Sequence, residues 1–292
     1  MAEHHHPHHS HHANALGGAA LFTLAFAAVE AAGGWWTGSL ALLSDAGHML
    51  TDGAALGLAA LAAWMARRPP SARHSYGLGR AEVLAALLNA ATMLVIAAAI
   101  GYEALARWQA PLPVQGTAAA LIAFAGLLVN LTLLRRLSGH RHDLNARAAM
   151  LHLVGDALGS AAALGAGLVI AFTGWLRADA IASAAIGLLI ATSALRLVRE
   201  SLHALMEAVP LGLSVEAIGS EMARVEGVVS VHDLHVWTLS GSRTALSAHV
   251  VVASLQQWDL TLAALQRRLQ EKFGIDHVTL QPESGTRPLL RH

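Results

Sequence analysis

No cysteine occurs anywhere in the chain, which excludes disulfide staples, thiolate metal sites and cysteine nucleophiles. Charge is scarce as well. Only 13% of the residues are Asp, Glu, Lys or Arg, and 19 basic residues stand against 19 acidic ones. A nucleic-acid binder needs a basic excess to neutralise phosphates, so nucleic acid is not expected among the partners. A cleavable leader is not expected either. The polar head before the first apolar stretch is histidine rather than Lys or Arg, and no short apolar run ending in a cleavage site stands apart from that stretch. Apolar residues and histidine are what the chain has in excess. At 55% hydrophobic residues and a mean hydropathy of +0.49, its 292 residues carry more apolar surface than one soluble core buries, so a lipid bilayer is the expected solvent for much of it.

A helix crosses the hydrocarbon core in about 20 predominantly apolar residues. Six such segments are expected, at residues 15–36, 40–66, 82–107, 115–137, 147–173 and 178–200. Ala and Gly recur in all six, which suits close helix packing where apolar burial no longer drives association. The basic residues of the short connections set the orientation. Arg67, Arg68, Arg73 and Arg80 lie between the second and third segments, Arg135, Arg136, Arg141 and Arg147 between the fourth and fifth, and Arg196 and Arg199 after the sixth. The opposite side offers Arg107 and Arg177. Both termini are therefore expected in the cytoplasm. The alanine-rich, lysine-poor composition points to a bacterial inner membrane.

After Pro210 the pattern becomes that of a small soluble domain. Helices are expected at 214–226 and 260–273, and strands at 228–239, 243–253 and 277–281, in the order α-β-β-α-β. The division of the chain is then a histidine-rich tail at 1–14, a six-helix membrane domain at 15–209 and an α+β domain at 210–292. Two helices and three strands make a thin core, so this last domain is expected to lean on a second copy.

Histidine numbers 18, and seven fall within the first twelve positions: His4, His5, His6, His8, His9, His11 and His12. This run, interrupted by Pro7 and Ser10, reads as a native metal-collecting tail rather than an expression tag. The sharper signal lies in the spans. His48-x-x-x-Asp52 sits in the second and His152-x-x-x-Asp156 in the fifth. Residues four apart share one face of a helix, so each helix offers an imidazole nitrogen and a carboxylate side by side. Two such helices facing each other provide two nitrogens and two oxygens, a tetrahedral set that suits Zn²⁺. Four ionisable groups in matched pairs are costly to keep in a bilayer as mere packing, since each costs at least about 2.5 kcal/mol. Histidine binds metal only when neutral, so protons compete with metal for these side chains.

These motifs resemble the cation diffusion facilitator family, zinc-transporting branch. The likeness extends through Ser39-Leu40-Ala41-Leu42-Leu43, Tyr76-Gly77, Arg80-Ala81-Glu82, Asp143-Leu144-Asn145-Ala146-Arg147, Asp179 and His232-Asp233-Leu234-His235-Val236-Trp237. It implies a homodimeric Zn²⁺/H⁺ antiporter that exports metal from the cytoplasm, with a ferredoxin-like cytoplasmic domain. His48, Asp52, His152 and Asp156 would be the transport ligands, and Zn²⁺ the cargo rather than a resident cofactor. It also puts His232 and His249 at positions that bind regulatory zinc, with Leu280 where the family has a further histidine. His74, in the loop after the second span, matches one ligand of a further site, with Ser71 and Leu78 where other ligands are expected. His235 and His277 are weaker metal candidates in the soluble domain, and Asp45 is expected to orient the His48 imidazole or to cap its helix. Glu30, Asn89, Asn130 and Asp179 are read as interhelical hydrogen-bonding residues, and His140 and His142 as loop residues able to pass metal inward.

Two other classes use the same ligands. An intramembrane hydrolase would activate water on the metal, but four convergent side chains close the sphere and no HExxH or nucleophile motif is present. A metal sensor would bind without transport. Cd²⁺ and Co²⁺ also accept imidazole and carboxylate, so they remain alternative cargo.

Overall fold

The computed structural model describes residues 9–137, 144–240 and 243–284, and side chains only from residue 23 onward, with those of 137–149, 151, 152 and 240 also undescribed. Six long helices come first: α1 (His9–Thr37), α2 (Leu40–Ala66), α3 (Arg80–Gln109), α4 (Gly116–Leu137), α5 (Leu144–Thr173) and α6 (Arg177–Leu205). Among the described residues, α2 to α6 each contain a stretch long and apolar enough to cross a membrane. α1 begins at His9, so the boundary drawn at residue 15 falls inside it. Most of the histidine run, and His140 and His142, lie outside the described residues.

The chain forms two compact units, Met1–Gly57 with Leu88–Leu197, and Leu58–Leu87 with Val198–His292. In the first, alanines do most of the packing. Ala41, Ala119, Ala123 and Ala163 are almost wholly buried, with Leu42, Ile186 and Ile190 filling the space between them. Large apolar side chains point outward instead: Phe172, Val95 and Leu121 are 85%, 70% and 67% exposed. That inversion is what a lipid solvent allows. Trp35 and Trp36, at the end of α1, are exposed where an interfacial aromatic pair is expected.

α4 and α5 pack most closely, and two glycines make this possible. A Cβ at Gly116 would stand 2.7 Å from the Ala171 nitrogen, and one at Gly167 would stand 2.7 Å from the Ala120 nitrogen. Because both obstacles are backbone, neither yields. Gly167→Leu is expected to destabilise the membrane domain by about 1–3 kcal/mol or more, read as a lower unfolding midpoint in detergent; an unchanged midpoint would contradict this close approach.

The second unit ends in α7 (Val215–Ala223), β1 (Val228–Ser240), β2 (Arg243–Val252), α8 (Trp258–Phe273) and β3 (His277–Ser284), the expected α-β-β-α-β order. The sheet runs β1-β2-β3, with β1 antiparallel and β3 parallel to β2. Ser214 caps α7 by accepting from the Ala217 nitrogen, and Gly274, at φ +67°, ends α8. Ile218 and Met222 of α7 and Leu265 and Leu269 of α8 cover one face of the sheet against Leu246, Val250 and Val252.

Two departures from the expected boundaries matter for function. β1 is bulged: His232 faces His249, the next pair is His235 with Ser247, and Asp233 takes a left-handed φ of +47°. β3 continues past Gln281 through Pro282 to Ser284. Proline cannot donate to a ladder, but β3 is an edge strand and tolerates it.

Candidate metal centres

In the first unit, α2 presents His48 and Asp52 one turn apart, with His48 Nε2 3.6 Å from Asp52 Oδ2. α5 brings Asp156 to the same point, its Oδ1 3.7 Å from His48 Nε2. One ligand atom from each of the three residues lies within 4.8 Å of the other two. Tetrahedral zinc with bonds of about 2.0–2.1 Å holds its ligand atoms roughly 3.3 Å apart, so closure needs only a small inward movement. The fourth expected ligand, His152, lies on α5 one turn before Asp156, and its side chain is outside the described residues. Asp156 is buried, whereas His48 and Asp52 keep 16% and 19% exposure. Two aspartates would neutralise a divalent cation held here, so that no net charge would be carried into the bilayer.

The surroundings hold α2 in place. Asp179 of α6 reaches the start of α2, where its oxygens accept from the Ser39 hydroxyl (2.6 Å) and the Leu40 and Ala41 nitrogens (2.7 and 3.2 Å). The Ser39 hydroxyl then accepts from the Leu42 nitrogen, and the Ser39 nitrogen donates to the Thr37 hydroxyl at 3.4 Å. The four orphan donors of the helix start, Ser39 to Leu42, are thus satisfied, and Leu43 makes the first helical bond to the Ser39 carbonyl. Arg107 donates to the Gly38 carbonyl at 2.6 Å and stands 3.5 Å from the Asp179 carboxylate.

Asp45 departs from expectation. Its Oδ2 accepts from the Ser160 hydroxyl at 2.8 Å, and its Oδ1 has no hydrogen-bond partner among the described residues. Its carboxylate is held by α5, while the helix start is capped by Asp179. Asn130 extends the chain by donating to Ser160 at 3.2 Å. Asn89 donates to Met93 of its own helix rather than across a helix interface.

A second convergence lies in the soluble domain. The His232 and His249 rings are 5.2 Å apart, and Glu283 bridges them: His249 Nδ1 lies 2.7 Å from its Oε1 and His232 Nε2 lies 3.1 Å from its Oε2. Hydrogen bonds from His249 and then His232 hold the Glu283 carboxyl below the usual carboxylate range. One ligand atom from each of the three lies within 4.8 Å of the others. Glu283 is the residue that sequence reasoning underweighted. Alternation along β3 puts Val278 and Leu280 against the core and Gln281 and Glu283 on alternate, half-buried or exposed positions, so Leu280 stands on the core side of the strand.

His74, His235 and His277 join neither cluster. His74 and His235 line one open cavity of about 940 Å³ without converging, and the His277 ring packs edge-on against Tyr76 at 6.4 Å. His74 itself is held in an exposed turn by Ser71.

Comparison with known proteins gives a consistent picture. Residues 18–206 match the cation efflux transmembrane domain, and residues 210–285 the cation efflux protein cytoplasmic domain. The chain is 42% identical over 264 residues to the zinc transporter ZitB of Escherichia coli (strain K12), covering 89% of this chain and 84% of that protein. It is 37% identical over 284 residues to the metal cation efflux system protein CzcD of Cupriavidus metallidurans, covering 97% and 90%. A cadmium, cobalt and zinc/H(+)-K(+) antiporter of Bacillus subtilis (strain 168) is 36% identical over 262 residues, covering 88% and 84%. The solved metal-bound C-terminal domain of the CzcD transporter is 33% identical, with a TM-score of 0.23, covering 24% of this chain and 99% of that one.

Proposed function

Because the chain belongs to the cation efflux family, as a multi-pass membrane transporter of metal cations and not an enzyme, we propose that it is a Zn²⁺/H⁺ antiporter exporting zinc from the cytoplasm. The observation that carries this reading is the meeting of His48, Asp52 and Asp156 from two helices at metal-ligand spacing; the sequence supplies His152, one turn before Asp156, as the fourth ligand in this reading. Imidazole and carboxylate in equal number favour zinc over harder ions, which prefer oxygen alone. The hydrolase reading falls with family membership, and so does a sensor that moves nothing.

Proton coupling follows from the ligands. A proton that enters the site displaces the metal, and metal that enters displaces protons. One proton in for each zinc out still moves one positive charge outward, against about 2.3 kcal/mol per 100 mV of inside-negative potential. Movement of α2 and α5 would expose the site alternately to each side while the ligands stay together. The basic residues of the α2–α3 and α4–α5 connections support cytoplasmic termini in a bacterial inner membrane. Residues 15–209 then form the transport domain and 210–292 a cytoplasmic regulatory domain that pairs with a second copy. Vesicles loaded with zinc and pH indicators test the proposal: a pH gradient should drive zinc against its own gradient with proton counterflow, and zinc entry without protons would overturn the coupling.

His232, His249 and Glu283 form the regulatory metal site in this reading. With the transport site disabled by Asp156→Asn, Glu283→Gln should weaken the remaining zinc binding at least about tenfold, the lower end of what outer-sphere partners alone contribute. Calorimetry on the full chain reads this, and unchanged binding would remove Glu283 from the site.

A further inference from the structure

Glu30 lies in α1, wholly buried, and neither of its carboxylate oxygens has a hydrogen-bond partner among the described residues. It faces α4 at Gly126, where an added Cβ would collide with Glu30 Oε1, so the glycine makes the room that this carboxyl occupies. One turn along α4 stands Asn130, 1% exposed, whose Oδ1 is also unpartnered. From Asn130 a hydrogen-bonded chain runs through Ser160 to Asp45, whose Oδ1 is the next orphan. A Cβ at Gly159 would stand 2.5 Å from that atom. Two glycines therefore frame a buried polar chamber between α1, α2, α4 and α5.

The chamber has an excess of one kind of atom. Glu30 Oε1 and Oε2, Asp45 Oδ1 and Asn130 Oδ1 are four acceptors without donors, while the Asn130 amide and the Ser160 hydroxyl already donate within the chain. Among the described residues of α1 and α4, no basic side chain before Arg135 balances them. α1 carries no other titratable residue between Thr23 and Thr37 and α4 carries none before Arg135, while α2 brings the acidic Asp45, with His48 and Asp52 further along it, and α5 brings Asp156, with His152 one turn before it in sequence. Buried acceptors in such numbers need a donor, and a proton on a carboxyl supplies one without adding net charge.

We propose that Glu30, with Asp45 as its partner, is a proton-binding site separate from the metal ligands, loaded and unloaded in step with the Asp156 side of the transport site. This rests on the reading of the chain as a proton-coupled exporter. When zinc leaves, Asp156 regains its charge, and a negative charge added across the chamber favours proton uptake by Glu30. When zinc binds, that charge is neutralised and the proton is released. The exporter would thus carry a proton on a residue that never touches metal.

The test is reconstituted transport with zinc and pH indicators on the parent and on Glu30→Gln, whose amide fits the same space and cannot titrate. Expected is a zinc dissociation constant within about threefold of the parent, with about one proton fewer moved per zinc and a flattened dependence of flux on pH. An infrared band of a protonated carboxyl that changes on zinc addition should vanish in Glu30→Gln and persist in Glu30→Asp. If Glu30→Gln does not fold, Asp45→Asn takes its place with the same readouts. A parent-like proton-to-zinc ratio in a folded variant overturns the proton site alone. A parent that moves no protons overturns the coupling reading, and this inference with it.

Discussion

Asp156→Asn should lower zinc affinity at the transmembrane site by at least about 100-fold, more than the 10–100-fold typical of an outer-sphere partner. Asparagine keeps the shape and one oxygen, so packing is preserved while the charge is lost. The charge is what matters here. Asp156 is only 2% exposed, and in the proposed site it would cancel, with Asp52, the two charges of the cation where water cannot. Its removal leaves a net positive charge in the filled site and one weak amide ligand in place of a carboxylate. Calorimetry with Glu283→Gln in the background isolates the site, and an affinity within tenfold of the parent would show that Asp156 is not a ligand.

Asp179→Ala should destabilise the membrane domain by about 3–5 kcal/mol, the range for removing one partner of a buried charge pair. Three groups lose their acceptor at once: the Ser39 hydroxyl and the Leu40 and Ala41 nitrogens. Arg107, 13% exposed, is left with the Gly38 carbonyl and Glu103. Hydrogen bonds to a charged group are worth about 1.5–3 kcal/mol each, but they share one carboxylate and do not add fully. Asp179→Asn retains one acceptor oxygen and should recover part of the loss. A midpoint of thermal unfolding in detergent equal to the parent's would contradict this role. Because the cap lies at the start of the helix that carries His48, Asp179→Ala should also loosen the register of α2 and slow transport.

The six long helices, five of them apolar enough to span a membrane among the described residues, are legible because length and apolar content alone define a span, and the His48–Asp52 pair on α2 because i, i+4 spacing is a property of one helix. The same holds for the α-β-β-α-β order, where period and turn residues agree. Contacts between distant elements were not legible. Asp45 meets Ser160, 115 positions away, and Asp179 meets Leu40, 139 positions away; no local pattern announces either. Glu30 reads in the sequence as a hydrogen-bonding residue, yet it has no hydrogen-bond partner among the described residues, since sequence shows that a carboxyl enters a span and not what awaits it there. Glu283 was obscured by Pro282, which reads as a strand terminator. Only the position of β3 at the sheet edge permits the strand to continue through it.

The soluble domain and the membrane domain divide the metal chemistry by geometry. Among the described residues, the transmembrane cluster is partly exposed at His48 and Asp52 of α2 and buried at Asp156 of α5, which suits the proposed site that fills and empties. The cluster of His232, His249 and Glu283 sits on a paired sheet whose edge strand carries Glu283, which suits the proposed regulatory site.

Zinc flux into vesicles containing the parent or His48→Ala tests the central claim most directly. The account predicts zinc accumulation driven by a pH gradient with the parent, and flux at the level of empty vesicles with a folded His48→Ala protein. Zinc movement by that variant at the parental rate would contradict it.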